Sequence, residues 1–215
     1  MPTFQFHSRT LLLMARDAAI RSRSDASRPN ALTSDSITAI LLAAASTEAF
    51  INEFAEYVLA VCAIPLHADE VLPQIAECAR VISRLEGDRR SVTDKYHEGT
   101  NALGGARLSR GDAVFQEFKR LHDLRGSIMH VKLALDASHR GTRQTNILGR
   151  RGIAIPETRW GLPWFDRLML PTTAKWAHDS ARDIMRAFFD RVPIRPHYDP
   201  FGMQRDMLHE HPDCW

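Results

Sequence analysis

Two stretches of this chain repeat apolar residues at alternating steps of four and three. The first runs Ile37, Leu41, Ala44, Glu48, Ile51, Ala55, Val58, Cys62. The second runs Val114, Phe118, Leu121, Arg125, Ile128, Lys132, Leu135. Such steps keep one helical face toward a partner surface, whereas a half-buried strand alternates every two residues. Two long helices with facing seams commit the chain to helix-on-helix packing, and no βαβ pattern competes with them. The expected class is all-α, a bundle of about five main helices.

Punctuation supplies the rest of the order. A first helix is expected over 6–24, broken by Pro29 and Asn30. Asp35 is placed to cap the second, which runs to about Cys62 before Pro65. A third spans about 70–86, capped by Asp69, with Pro73 in its first turn and Gly87 after it. A short helix over 91–98 and a glycine-marked loop lead to Asp112, the expected cap of a helix reaching about Asp136. Residues 137–171 read as an irregular segment, too long for plain loop in a compact domain, with a hairpin or a short helix left open within it and Trp160 and Trp164 anchoring it. Thr172 or Thr173 caps a last helix to about Val192. One domain over 1–192 is therefore expected. A Pro-rich extended tail follows over 193–215, packed back through Phe201, Met207 and Trp215.

Composition narrows the function. The 215 residues carry 28 basic and 26 acidic groups, a net charge of +2 that excludes a globally basic nucleic-acid binder. Four arginines, Arg140, Arg143, Arg150 and Arg151, fall within 137–156 without an acid. They leave the remainder with 24 basic groups against 26 acidic. The excess positive charge is thus a local basic segment, able to track a phosphate backbone. Three scattered cysteines, no signal-peptide pattern and no apolar run, the seven residues Ala39–Ala45 included, that approaches the ~20 residues of a membrane span suit a cytoplasmic protein without one.

Each seam has a charged residue in its middle. Glu48 lies between Ala44 and Ile51, and Arg125 between Leu121 and Ile128. A charge in an apolar stripe calls for a partner, because an unpaired buried ion costs several kcal/mol or more. Glu48 facing Arg125 is the economical pairing, either fixing helix register or orienting Arg125 toward a polar cleft that Asn52 would also border. His122 lies one turn before Arg125.

The stretch Leu124-Arg125-Gly126-Ser127-Ile128-Met129-His130 places an Arg and a His five residues apart, late in a long helix. With the Glu48-bearing helix before it and the Trp176–Phe189 helix after it, the chain resembles the HEPN superfamily over roughly residues 5–192. The resemblance implies a homodimer with Arg and His of both copies lining an interfacial cleft. It also implies RNA as the ligand and metal-independent endoribonuclease chemistry of the toxin or phage-defence kind. Arg125 would then bind the scissile phosphate, and His130 would act as general acid or base, with Glu48, Asn52, His122 and Ser127 supporting them. Active members usually carry a polar residue after the Arg; here it is Gly126. The alternative is a non-catalytic dimerisation or protein-interaction module with a structural Glu48–Arg125 pair, whose partner is another protein such as a cognate antitoxin.

No cofactor motif is present. His209-Glu210-His211-Pro212-Asp213-Cys214 contains metal-ligand residue types, but the sequence offers no second ligand cluster at a recognised spacing, so no metal is expected.

Overall fold

The computed structural model describes residues 6–25, 32–64, 71–105, 107–130, 139–157, 162–193, 202–209, 211 and 213–214. Among them the regular structure is entirely helical: α1 (His7–Asp25), α2 (Asp35–Cys62), α3 (Pro73–Gly87), α4 (Val92–Ala102), α5 (Ala113–Met129), α6 (His139–Arg150), a 3₁₀ turn (Asp166–Leu168), α7 (Pro171–Phe189) and α8 (Gly202–His209). The all-α expectation stands, with more helices than the seams alone announce.

The chain folds as two compact units. One comprises residues 1–9, 46–116 and 182–212, the other 10–45, 117–181 and 213–215. In the first, aromatic rings make the centre. Phe50 meets Phe189 edge-on at 4.9 Å, and Phe54 meets Phe188 at 4.9 Å. The buried Tyr96 donates its hydroxyl to the Thr47 carbonyl at 3.0 Å. Edge-on pairs of this kind add about 0.5–1.5 kcal/mol each beyond their buried area. The apolar face of α3 (Ile75, Cys78, Ala79, Ile82) is buried and packs on α4. A Cβ at Gly99 would already lie 3.0 Å from Ile82. Ser91 caps α4, its Oγ accepting from the Asp94 N–H at 3.1 Å. At the start of α3 the N-cap is Leu72, with Pro73 as the first helical residue. Asp69, the expected cap, lies outside the described residues. The turn after α4 uses Gly104 at φ +73°, where a side chain would be strained.

The second unit is built from small side chains. Ala15, Ala18 and Ala19 of α1, Ala39 and Ala43 of α2, and Ala174, Ala177 and Ala181 of α7 are all buried. Ser22 and Ser36 share a buried hydrogen bond of 2.7 Å, and Ser36 also donates to the Leu170 carbonyl at 2.9 Å. Asp35 is the first residue of α2 rather than its cap, and its carboxylate is held by Arg21 at 3.1 Å. Thr172 and Thr173 do not cap α7, which begins at Pro171; both hydroxyls donate to the Ile153 carbonyl at 2.7 Å.

Two further segments gain regular structure. Residues 137–171 contain the twelve-residue helix α6 and the 3₁₀ turn rather than irregular chain alone. The tail contains α8, gripped by Arg186, which donates to the carbonyls of Leu208 at 2.7 Å and His209 at 2.8 Å. The expected extension of α5 toward Asp136, with Lys132 and Leu135, lies outside the described residues, as do Trp160, Phe201 and Trp215 and the side chain of Met207. Finally, α2 is 28 residues long with a window of mean hydropathy 1.3, long and apolar enough to cross a membrane. Half of that window is buried inside the fold, as in the core helix of a globular protein.

Candidate nucleic-acid interface

The motif helix α5 supplies Arg125, half-buried, and His130, exposed in the turn that ends it. The His130 N–H reaches the Gly126 carbonyl at 3.2 Å, so helical bonding passes through Gly126 without a break. On such a helix, five steps of about 100° separate the two side chains by roughly 140°. A distortion at Gly126 that would bring them together is not present. A Cβ at Gly126 would meet nothing within 4 Å, so the helix surface there is open. Ser127 donates its hydroxyl to the Asp123 carbonyl at 2.9 Å, an internal helix bond.

His122 is a core-edge residue, its ring 4.8 Å from that of Phe118. Burial pushes its imidazole down to about 4, and the neighbouring Arg125 charge pushes the same way against the smaller opposing pull of Asp123. It is therefore neutral at physiological pH and poorly suited to proton transfer there.

Glu48 and Asn52 belong to the other unit, where they serve Lys95. This lysine is 1% exposed. Its ammonium donates to Asn52 Oδ1 at 2.9 Å and pairs with Glu86. Burial lowers its pKa, opposed by the charge of Glu48. Sequence reasoning placed Asn52 beside a cleft with Arg125 and passed over Lys95. Its only signal was spacing: Asn52 follows Glu48 by one turn, so both would reach one cation.

The basic segment forms helix α6, docked on α5. Gln144 Nε2 donates to Asp123 Oδ2 at 3.1 Å, and Arg151 donates to Glu117 Oε2 at 2.7 Å. Glu117 also receives Trp176 Nε1 at 2.7 Å. Burial raises its pKa, but the bonds from Arg151 and Trp176 and the nearby charges of Arg151 and Arg120 outweigh that, so the carboxylate is held below its ordinary value. Of the predicted phosphate-binding arginines, Arg151 is thus spent on an ion pair. Arg143 and Arg150 are exposed and seven residues apart, and hence on one ridge of α6. The side chain of Arg140 lies outside the described residues. Trp164 anchors this region as expected: a Cβ at Gly141 of α6 would fall 2.9 Å from its ring.

Compared with family models, with curated proteins and with solved structures, the chain finds no match.

Proposed function

We propose that the protein is a HEPN-like RNA-binding protein whose RNA surface is the exposed ridge of α6 together with the end of α5. The observation that carries this is the docking of an acid-free basic helix directly onto the helix bearing Arg125 and His130, through Gln144–Asp123 and Arg151–Glu117. Arg143 and Arg150 would track the phosphates, and Arg125 would contact the phosphate nearest the end of α5.

Cleavage is the further step of the same proposal, and it calls for two copies. The roughly 140° between Arg125 and His130 on one helix leaves the His of one protomer to complete the site of the other. A homodimer through the end of α5, acting in the cytoplasm, satisfies that requirement. His130 would move the proton while the RNA 2′-oxygen attacks phosphorus and the bond to the 5′-oxygen breaks. The chemistry uses the RNA's own nucleophile and needs no metal.

Incubation with RNA and with the matching DNA in EDTA tests this. The expected result is RNA cleavage to 2′,3′-cyclic phosphate ends, no DNA cleavage, and a loss of about 10²-fold or more in His130→Ala. RNA binding without cleavage keeps the α6 surface and removes the catalytic step. Absence of both ends the proposal.

A further inference from the structure

Three side chains of different chemistry converge where α7 meets the C-terminal residues. His178 of α7 is fully buried, Asp179 is half-buried, and Cys214 is buried. A donor atom from each, imidazole nitrogen, carboxylate oxygen and thiol sulfur, lies within 4.8 Å of the other two. Adjacent residues on a helix ordinarily diverge by about 100°. Here the His178 ring and the Asp179 carboxylate nevertheless meet, Nδ1 to Oδ1, at 3.0 Å.

We propose that His178, Asp179 and Cys214 form a binding site for a zinc-class divalent cation, which pins the C-terminal residues onto α7.

The donor set fits that ion. Zinc takes thiolate, imidazole and carboxylate together, and bonds of about 2.0–2.3 Å in a tetrahedron put ligand atoms roughly 3.3–3.8 Å apart. Closing the trio onto an ion therefore needs movement of about 1 Å. The surroundings are made for a bulky sulfur. Cys214 sits among Ala18, Ala19, Ala39 and Ala174, four small side chains from three helices. Arg16 Nε holds the Asp213 carbonyl at 3.2 Å, fixing the backbone beside it.

Lys175, one turn before Asp179, donates to Asp179 Oδ2 at 2.5 Å and leaves Oδ1 turned toward His178. A ligating carboxylate oriented by an outer hydrogen bond is a usual feature of metal sites. Asp179 is 24% exposed on its side chain, so a water molecule can complete the fourth position from that side. Cysteine, histidine and aspartate also occur together as a nucleophilic triad. The thiol here is buried, which denies a substrate the approach that such chemistry needs. The sequence offered Cys214 beside other ligand types near the terminus but hid the partners, which stand 35 and 36 residues upstream.

The test uses the full chain, stripped with EDTA and titrated with Co(II), then with Zn(II). The expected result is one equivalent of cobalt per chain, with a thiolate-to-cobalt charge-transfer band and intense tetrahedral visible bands that zinc abolishes. Cys214→Ser, a near-isosteric change, should lose the charge-transfer band and bind cobalt at least tenfold more weakly while keeping the wild-type far-ultraviolet spectrum. Asp179→Asn should weaken binding and keep the band. If the wild-type chain fails to bind cobalt or zinc stoichiometrically, the proposal is wrong. It is equally wrong if the band survives Cys214→Ser or vanishes instead in Cys62→Ser or Cys78→Ser. None of these readouts involves RNA, so they stand or fall independently of the α5–α6 surface.

Discussion

Burial pushes Lys95 and His122 toward neutrality, and the neighbours of each determine whether it keeps its charge. Lys95 has Glu48, Glu86 and Asn52 to hold its charge; His122 has Arg125 beside it and gives its charge up. For His122 the consequence is a pH dependence of stability. Its value in the unfolded chain is about 6.5, and in the fold it is about 4. Between these, the unfolded chain binds a proton that the folded chain refuses, so stability falls as the pH drops from 6.5 to 4. The slope from this group is at most about 1.4 kcal/mol per pH unit. Urea unfolding across that window should show the decline, and His122→Gln should flatten it; an unchanged slope in the variant would assign the acid sensitivity elsewhere. For Lys95 the expected cost of Lys95→Ala is about 1–3 kcal/mol, measured by the same unfolding. Glu86, 54% exposed on its side chain, is rehydrated when the lysine is gone, which keeps the loss below that of a fully buried pair.

At the scale of the element, α6 shows why a helix can escape a search for apolar periodicity. Its buried residues are Gly141, Gln144, Thr145, Leu148 and Gly149, spaced at i, i+3, i+4, i+7 and i+8. That is a helical stripe, but only one of the five is a large apolar residue. The two glycines cost about 1 kcal/mol each against alanine in a helix. The structure compensates at Gly141 by bringing Trp164 so close that no side chain fits. Gly141→Ala is accordingly expected to destabilise by about 1–3 kcal/mol despite its better helix propensity. Thermal melting, together with a change in tryptophan emission, would show it; a stabilised variant would mean that Trp164 moves aside freely. The opposite ridge of α6 carries the functional expectation. Arg143→Glu with Arg150→Glu should leave the melting temperature within a degree or two. The same pair should weaken RNA binding and reduce its salt dependence by about two counterions, since each phosphate contact contributes roughly one.

Across the whole molecule, the C-terminal residues belong to the fold rather than trailing from it. Arg186 grips the end of α8, and Arg205 stacks 5.5 Å from the Phe189 ring centre while bonding the Phe189 carbonyl. A chain ending at Pro193 loses these bonds and uncovers Phe189. It should melt at least about 4 °C lower, by the usual 2–4 °C per kcal/mol for a protein of this size. Calorimetry on the two lengths decides it. Where local pattern and packing agree, the helices were legible from residues alone: α2 runs from Asp35 to Cys62 as its seam foretells, and α1, α3, α4 and α7 fall close to their expected places. The site was legible only in part. Arg125 lies on α5 as expected and His130 in the turn that ends it, their angular separation follows from unbroken helical bonding through Gly126, and Asn52 is committed to Lys95.

Residue order by itself determined the all-helical class and the long seams, because hydrophobic period and capping act over a few residues. It also determined the local concentration of arginine. Tertiary structure alone decided that a polar, glycine-containing segment is helical and that Arg151 is consumed by Glu117. It alone brought Cys214 to His178 and Asp179. Each of these depends on groups distant in sequence whose mutual approach no local period encodes, and each is fixed by burial and by the hydrogen bonds that burial demands.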